Sequence, residues 1–249
     1  MGHDFGWPGS GGLEALSGAR VVAVVEHLVV TDGDAASFHG RALPDDGRAH
    51  VWWFRPVRTA VVLGSTQDVG LVDLGVCERR DIDVVKRRSG GGIVIVGPDL
   101  TMWVDVLVPR GHGLWDDDIG RATWWLGDIW AEALAGAGVR TPVVHRRGME
   151  SSDLSRVVCF AGRGPGEVFV GDSTAASAKA VGISQRRTRD WARFQCAVSL
   201  RWDADLYRDV VIPSTIGDSS LDRLGTDLDV DETVFGRDAV RRLCERLDD

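Results

Sequence analysis

Short apolar runs separated by turn-forming residues recur along the first half of the chain. A run of apolar and β-branched residues that ends at glycine or charged residues is typical of a buried strand. We therefore predict strands over residues 21–30, 51–54, 60–63, 82–86, 93–96 and 102–108, the last two forming a hairpin. Two helices are expected between them, one over 35–42 with Asp34 as its N-cap and one over 69–80. The pattern predicts a mixed α/β protein.

The second half begins with the clearest helical pattern of the sequence. Apolar residues at spacings of three and four predict a helix over 118–137 that Gly138 ends. The acidic run 116–118 precedes this helix, where capping is more typical than a cation site. Strands are expected over 140–144, 157–160, 167–170, 178–183 and 194–200. A last helix is expected over 231–247, with an apolar face formed by Val234, Ala239, Leu243 and Leu247.

The order of these elements favours one domain. A chain of 249 residues is within the range of a single large core. We expect that domain to extend over residues 1–249, with its core at about 20–210 and a C-terminal helical extension over 211–249. Because the later strands alternate with glycine-rich or arginine-rich turns, the predicted architecture is a mixed, largely antiparallel sheet flanked by helices.

Composition and charge exclude several classes of protein. With 44% hydrophobic and 27% charged residues, the chain lies far from the composition of disordered proteins. A net charge of -8 argues against nucleic acid as a partner, because a broadly basic surface is absent. The apolar run 21–30 is too short to span a membrane, which takes roughly 20 residues. No secretory leader pattern is present at the N-terminus, so we expect a cytoplasmic protein without a membrane partner.

The titratable residues indicate neither a metal site nor a disulfide framework. The four cysteines form no CxxC pair, and the six histidines form no HxH or HxxxH pair. The basic residues are 27 arginines and two lysines, Lys86 and Lys179. In such a chain, a lysine is present either by chance or because its position needs a compact ammonium group.

Two glycine-containing motifs carry the candidate chemistry. Arg87, Arg88 and Ser89 precede three glycines, Gly90, Gly91 and Gly92, which allow a ligand to approach the backbone closely. A tight turn between two strands is the structural alternative. The second motif is Lys179-x-x-Gly182-x-Ser184-Gln185-Arg186. An ammonium at a reacting carbonyl would stabilise the negative charge that develops during acyl transfer.

Together with Leu63-Gly64-Ser65-Thr66-Gln67, these motifs resemble the lipoate-protein ligase A family, over about residues 50–200. The resemblance implies a class II synthetase-like catalytic fold, shared with biotin-protein ligases and octanoyltransferases. It also implies transfer of a lipoyl or octanoyl group to a lysine of lipoyl domains. The segment 87–92 would line the acyl or acyl-adenylate pocket, with Gly182 and Ser184 in the same binding set. Lys179 would contact the reacting carbonyl, and Gln67 would help to close the pocket.

The sequence departs from that family pattern in two places. Ligases of the family continue after the glycines with a His-Asp pair and an Asn, where Val96, Gly97 and Leu100 stand here, so the use of ATP and Mg remains open. The segment 158–162 resembles instead the octanoyltransferase branch, in which a cysteine carries the acyl group as a thioester. Cys159 is therefore either a nucleophile, with its pKa lowered by cations such as Arg163 or Lys179, or a core residue. Core packing is expected for the remaining cysteines, Cys77, Cys196 and Cys244.

These observations favour an enzyme that acylates a protein lysine, with lipoyl domains as acceptors and an acyl carrier protein as a possible donor. Two alternatives stay open, a non-catalytic protein that binds or senses an acyl ligand and a biotin-protein ligase-like enzyme. The basic run Arg186, Arg187, Arg189 and Arg193 is either a solvated turn or a docking surface for an acidic carrier or lipoyl domain. Most of the ten tryptophans are expected in the core.

Overall fold

The computed structural model describes residues 19–25, 27–171, 177–212 and 221–248, which form two β-sheets and six α-helices. The strands are β1 (Ala19–Val25), β2 (Leu28–Gly33), β3 (His50–Pro56), β4 (Ala60–Leu63), β5 (Asp83–Lys86), β6 (Val94–Val96), β7 (Thr101–Pro109), β8 (Val143–Val144), β9 (Val168–Val170), β10 (Ala178–Arg187) and β11 (Trp191–Ser199). The helices are α1 (Ala35–Gly40), α2 (Leu74–Arg79), α3 (Trp124–Gly136), α4 (Asp153–Val157), α5 (Ala204–Val210) and α6 (Glu232–Asp248).

The larger sheet has eight strands in the order β1-β2-β3-β7-β11-β10-β9-β8. Neighbouring strands within this sheet are antiparallel, except that β2 and β3 are parallel. The smaller sheet has the order β5-β4-β6, with β5 parallel and β6 antiparallel to the central strand. The predicted fold class, a mixed and largely antiparallel sheet with flanking helices, is confirmed.

Helices and the small sheet cover opposite faces of the large sheet. On one face, α3 and α6 pack against residues such as Val104 and Phe194, and the buried side chains of Trp130 and Leu243 fill this core. On the other face, β4 of the small sheet packs through Val62 against β3 and β7. A third cluster joins the small sheet to α2 and α5. The candidate site lies where β10 of the large sheet meets the loop that follows β5 of the small sheet.

Several predicted elements differ from those observed. The expected strand over 21–30 is a hairpin of two strands, β1 and β2, that turns at His27. Residues 93–96 and 102–108 do not form a hairpin, because β6 pairs with β4 and β7 pairs with β3 and β11. The expected helix over 69–80 is a short 3₁₀ turn followed by α2, which Asp73 caps by accepting a hydrogen bond from Val76 N at 2.9 Å.

The prediction of a strand over 157–160 is wrong. Ser152 and Ser155 form a capping box that begins α4, and a 3₁₀ turn over Cys159–Ala161 follows directly. Side-chain oxygens at Ser152 and Ser155 satisfy the first backbone amides locally, which favours a helical turn over a strand ladder. A single bridge between Ile93 and Val158 is the remaining strand-like pairing. Cys159 is thereby held on a turn and not within a sheet.

The predictions for the later helices hold with small changes. Asp118 Oδ1 accepts hydrogen bonds from the amides of Gly120 and Arg121, so it caps the turn that precedes α3, whereas α3 itself begins at Trp124 without a side-chain cap. α6 was expected to bury Val234, but that side chain is 67% exposed and Phe235 is buried in its place. The buried apolar face of α6 therefore begins at Phe235, one residue later than predicted. Residues 213–220, within the expected C-terminal extension, lie outside the described residues.

Candidate active site

The loop 87–92 connects β5 to β6 and forms one wall of the site. Arg87 is buried, and its guanidinium donates hydrogen bonds to the carbonyl oxygens of Val62 at 3.3 Å, Gly90 at 2.8 Å and Gly92 at 2.9 Å. All three acceptors are backbone atoms of the loop or of β4. Arg87 therefore fixes the conformation of the loop. Its expected role was to bind the acyl or acyl-adenylate ligand.

At two glycines of this loop, a residue with a side chain would be strained or would collide with a neighbour. Gly91 has φ +98°, in the region that residues with a Cβ rarely adopt. At Gly92, a Cβ would lie 2.7 Å from the backbone nitrogen of Cys159. The loop thus lies directly against the turn that carries the cysteine. A side chain at either position would push the loop and the cysteine turn apart.

The side chains of the three residues before the glycines point alternately to opposite sides of the segment. Arg87 and Ser89 are buried, whereas Arg88 between them is exposed and lies outside the lining of both cavities described below. Successive side chains of an extended segment point to opposite sides, which explains the difference. Of the segment 87–92, Arg87 and the three glycines line the cavities, whereas neither Arg88 nor Ser89 does. Arg88 lies close to Arg186, whose pKa is lowered by burial and by the charges of Arg88 and Arg193.

Gln67 ties the residue after β4 to the end of α4. Its Oε1 accepts a hydrogen bond from Gly64 N at 2.9 Å, and its Nε2 donates to the carbonyl oxygens of Arg156 at 2.8 Å and Val157 at 3.1 Å. The side chain is buried and lines the larger cavity. Gln67 thus joins Gly64, directly after β4, to the end of α4 just before Cys159.

Lys179 and Cys159 come together at the centre of the site. Lys179 lies on β10, is 1% exposed, and donates from Nζ to the carbonyl oxygen of Cys159 at 3.0 Å. The same ammonium lies 5.5 Å from the ring centroid of Phe160 and 5.7 Å from that of Phe169. The Cys159 side chain is half-buried. Residues that are 20 positions apart in the sequence thus share one site.

A carboxylate holds the ammonium in place. Glu167 Oε2 lies 2.7 Å from Lys179 Nζ, and the Glu167 side chain is 5% exposed. Glu167 also accepts hydrogen bonds from Gly164 N at 2.6 Å and Ile183 N at 3.3 Å. These contacts satisfy the buried carboxylate and fix its direction. Sequence reasoning missed Glu167, although an acidic residue directly before an apolar strand is a signal that could have drawn attention to it.

A cleft of about 920 Å³ lies in front of these groups. Its lining includes Gln67, the three glycines, Cys159, Lys179 and Ser184. A narrower, mainly apolar pocket of about 40 Å³ continues from it and shares Cys159, Ile183 and Ser184. Gly182 lines the narrow pocket. The predicted site residues other than Arg88 and Ser89 therefore surround these two adjoining cavities.

A buried polar cluster lies beside the narrow pocket. Arg193 Nε donates to Asp105 Oδ2 at 2.6 Å, and both side chains are buried. Ser89 Oγ lies 3.2 Å from Ser184 Oγ and donates to Gln195 Oε1 at 3.2 Å. Arg193 therefore belongs to the interior and not to an exposed basic run. From the same run, Arg187 lies over the ring of Trp115.

The other cysteines have the environment of core residues. Cys77 and Cys196 are buried, and burial raises the pKa of both thiols. Cys244 is half-buried and packs against the core that contains α6. Cys159 differs from all three because it lines both cavities. Its position, and not its residue type alone, makes it the candidate nucleophile.

The three positions at which the sequence departs from the ligase pattern offer no polar side chain. Val96 and Leu100 are buried in apolar clusters, and Gly97 has no side chain. Among the residues described, no group of three His, Cys, Asp or Glu side chains could hold a metal ion. Carboxylates and waters are the ligands that Mg²⁺ prefers, and these three positions offer no carboxylate.

The family comparison agrees with the geometry. A model of the lipoyl protein ligase A/B catalytic domain matches residues 40–224, well over half of the chain. The chain belongs to this family. A search among curated proteins found no match. Of the helices in the described ranges, none combines the length and the apolar character needed to cross a membrane.

Solved structures share the fold at low sequence identity. Lipoate-protein ligase A bound with ATP aligns with a TM-score of 0.63 at 19% identity, covering 88% of this chain and 83% of that chain. A Thermoplasma acidophilum protein with bound lipoic acid aligns at 0.63 and 17%, covering 86% and 78%. A bipartite lipoate protein ligase from the same organism, reported with its E2 lipoyl domain, aligns at 0.61 and 16%, covering 86% and 76%. These likenesses establish the fold.

Proposed function

We propose that this member of the family transfers a lipoyl or octanoyl group to a lysine of a lipoyl domain, through a thioester on Cys159. The observation that carries the proposal is the position of Cys159 at the junction of a wide cleft and a narrow apolar pocket, with Lys179 beside it in the wide cleft. A wide opening suits a carrier arm and an acceptor lysine. A narrow apolar pocket suits the acyl chain.

The reaction would proceed in two balanced steps. The Cys159 thiolate attacks the carbonyl carbon of an acyl thioester, a new carbon–sulfur bond forms, and the donor thiol leaves as its thiolate. The neutral amine of the acceptor lysine then attacks the Cys159 thioester. An amide forms, Cys159 leaves as a thiolate, and one proton of the amine is released to it or to water.

Lys179 would stabilise the oxyanion of both steps. An ammonium group has three N–H donors, of which one faces Glu167 and one the Cys159 carbonyl. The third has no hydrogen-bond partner in the described part of the chain and is available for the acyl carbonyl oxygen. Removal of one such donor typically costs about 10²–10³ in kcat.

A basic face near the site supports an acidic docking partner. Arg88 is exposed, Arg186 is half-exposed, and neither forms an ion pair with a carboxylate within the described ranges. Both lie near the end of the wall formed by loop 87–92. Complementary charge raises the association rate of protein partners. We infer that a lipoyl domain, or an acyl carrier protein as donor, approaches from this side.

The test is intact mass spectrometry of the protein mixed with a lipoyl domain. One sample receives octanoyl carrier protein without ATP, and a second receives octanoate with Mg-ATP. We expect an octanoyl adduct first on the enzyme and then on the lipoyl domain in the first sample only. Cys159→Ala should abolish both adducts, whereas the control variant Cys244→Ala should retain them.

Other outcomes assign a different function. Modification that requires ATP would make Cys159 structural and restore the adenylating ligase. A biotinylated acceptor after incubation with biotin and ATP would support a biotin-protein ligase-like enzyme. Absence of any modification, with octanoate still bound, would favour a protein that senses or carries an acyl ligand.

A further inference from the structure

A row of polar side chains crosses three strands of the large sheet, on the face that the small sheet covers. Asp105 on β7 is the register partner of Gln195 on β11, and Gln195 is the register partner of Ser184 on β10. Register partners in a sheet point to the same face, so the three side chains lie side by side. The row begins in the interior at Asp105, which is fully buried, and ends at Ser184, which lines both cavities.

The buried end of the row has a fixed direction of hydrogen bonding. Asp105 accepts from Trp103 Nε1 at 2.7 Å and from Arg193 Nε at 2.6 Å, so it acts as an acceptor. Gln195 therefore turns its amide nitrogen inward, with Nε2 at 3.4 Å from both Asp105 Oδ2 and His39 Nδ1. The amide oxygen of Gln195 is left to accept a hydrogen bond from another donor.

Ser89, from the loop 87–92, carries this direction to Ser184. Ser89 Oγ donates its one hydrogen to Gln195 Oε1 at 3.2 Å, because an amide oxygen can only accept. Ser89 Oγ also lies 3.2 Å from Ser184 Oγ. Since the Ser89 hydrogen is already used, the hydrogen between the two hydroxyls belongs to Ser184. Ser184 Oγ therefore keeps free lone pairs and acts as an acceptor, with no further partner in the described ranges.

Ser184 lies beside the candidate nucleophile. Ser184 and Cys159 line both cavities. A Cβ at Gly91 would lie 3.8 Å from Cys159 Sγ, so the thiol lies against the loop that also carries Ser89. Lys179, on the same strand as Ser184, donates to the carbonyl oxygen of that cysteine. One strand therefore offers the site both an ammonium donor and a hydroxyl acceptor.

We propose that Ser184 binds the attacking amine of the acceptor lysine, by accepting a hydrogen bond from one of its N–H groups. This inference rests on the proposed function and adds a residue to its second step. A neutral amine has two N–H groups and one lone pair, so a fixed acceptor for one N–H directs the lone pair at the thioester carbon. As the new bond forms, the nitrogen becomes positively charged and this hydrogen bond strengthens.

Ser184 orients the amine and does not take its proton. A proton passed from Ser184 to Ser89 would have to continue to Gln195, and an amide oxygen is not a base at neutral pH. The amine proton is released to the Cys159 thiolate that leaves, or to water. Gln195 is a positioning residue, because it acts on the amine only through Ser89 and Ser184.

Single-turnover mass spectrometry tests this role, because it separates the two steps. The thioester is formed on the enzyme from octanoyl carrier protein, freed of excess donor and mixed with a lipoyl domain, and timed samples are quenched in acid. We expect Ser184→Ala to form the thioester at the wild-type rate. It should pass the octanoyl group to the lipoyl domain about tenfold more slowly, the loss expected for one hydrogen bond to a developing charge. Ser184→Thr keeps the hydroxyl and should recover most of the rate.

Two further variants test the rest of the row. Gln195→Met removes the oxygen that accepts from Ser89, so the second step should slow severalfold while the first is unchanged. Ser199→Ala, at a serine on β11 outside both cavities, should leave both steps at the wild-type rates. Thermal unfolding checks that each variant is folded.

The outcomes distinguish a failure of this role from a failure of the proposed function. A wild-type second step in folded Ser184→Ala would overturn the role of Ser184, and so would equal slowing of both steps. If Ser184→Ala does not fold, Gln195→Met decides, and an unchanged second step in that variant would overturn the role of the row. Absence of a thioester on the folded wild-type protein would overturn the proposed function itself.

Discussion

The Nζ atom of Lys179 lies 2.7 Å from Oε2 of Glu167, and the two side chains are 1% and 5% exposed. Removing two charges from water costs several kcal/mol per ion, which their attraction offsets only when the geometry is good. Here Glu167 also accepts hydrogen bonds from two backbone amides, which satisfies its remaining lone pairs. The pair therefore holds a compact ammonium at a fixed point beside Cys159.

Glu167→Gln should destabilise the protein strongly. The substitution keeps the shape of the side chain but leaves the Lys179 ammonium buried without a counter-charge. Breaking a buried pair from one side typically costs about 3–5 kcal/mol. Urea unfolding at pH 7 measures the loss in the free energy of unfolding.

A double-mutant cycle shows whether the cost belongs to the pair. Lys179→Met combined with Glu167→Gln should lose clearly less stability than the sum of the two single variants, because no unpaired charge remains. Asp238→Asn, in the partly exposed surface pairs with Arg241 and Arg242, is the control and should cost less than about 1 kcal/mol. Additive losses at Lys179 and Glu167 would mean that the two are not coupled.

Lys179→Arg tests the need for an ammonium in the reaction. The guanidinium keeps the charge, but its planar fork cannot donate from the same point to Glu167, to the Cys159 carbonyl and to a substrate. We expect kcat for acyl transfer to fall by about 10²–10³, while the affinity for octanoate changes little. An unchanged kcat would make Lys179 a structural cation. Loss of octanoate binding together with activity would place its role in ligand binding.

The sequence predicted the regular elements better than the contacts of the site. β4 was predicted over the residues that form it, because an apolar run ending at Gly64 has few other interpretations. The turn at Cys159 was missed, since apolar residues 157–160 match a strand equally well and the capping box of Ser152 and Ser155, which favours a helical turn, was overlooked. Lys179 was identified from its motif and rarity. Its partner Glu167 and the polar neighbours of His39 depend on tertiary contacts that no spacing encodes.

Gly182→Ala should weaken ligand binding while changing the free energy of unfolding only slightly. A Cβ there would meet Phe160 Cε2 at 3.5 Å and Lys179 Cδ at 3.6 Å, which are ordinary contacts. The added methyl group fits the folded protein but occupies the narrow pocket that Gly182 lines. We expect a stability change within about 1 kcal/mol and weaker binding of octanoate by calorimetry.

Gly92→Ala is the contrasting variant. Its Cβ would lie 2.7 Å from Cys159 N and from the carbonyl carbon of Val158, so the backbone has to move. We expect a loss of about 1–3 kcal/mol in the free energy of unfolding, larger than that of Gly182→Ala. If Gly182→Ala binds octanoate as wild type does, the narrow pocket does not hold the acyl chain.

His39 should make the protein less stable as the pH falls below about 6.5. Its pKa is lowered to about 3 in the folded protein, by burial and by Arg193 and Arg87, whereas an unfolded histidine titrates near 6.5. Between these values the unfolded chain binds the extra proton, so stability falls with decreasing pH at about 1.4 kcal/mol per pH unit. The variant His39→Gln lacks the titrating ring, so its unfolded chain does not bind this extra proton. Between pH 7 and pH 5, wild type should lose about 2 kcal/mol more than the variant.

Urea unfolding of both proteins at several pH values measures this difference directly, because every other titrating group is common to the two. Parallel stability curves would mean that the folded protein accepts a proton on His39 at pH 5. The ring would then have water or an anion beside it. A difference of the expected sign supports a His39 ring that stays neutral in the folded protein between pH 7 and pH 5.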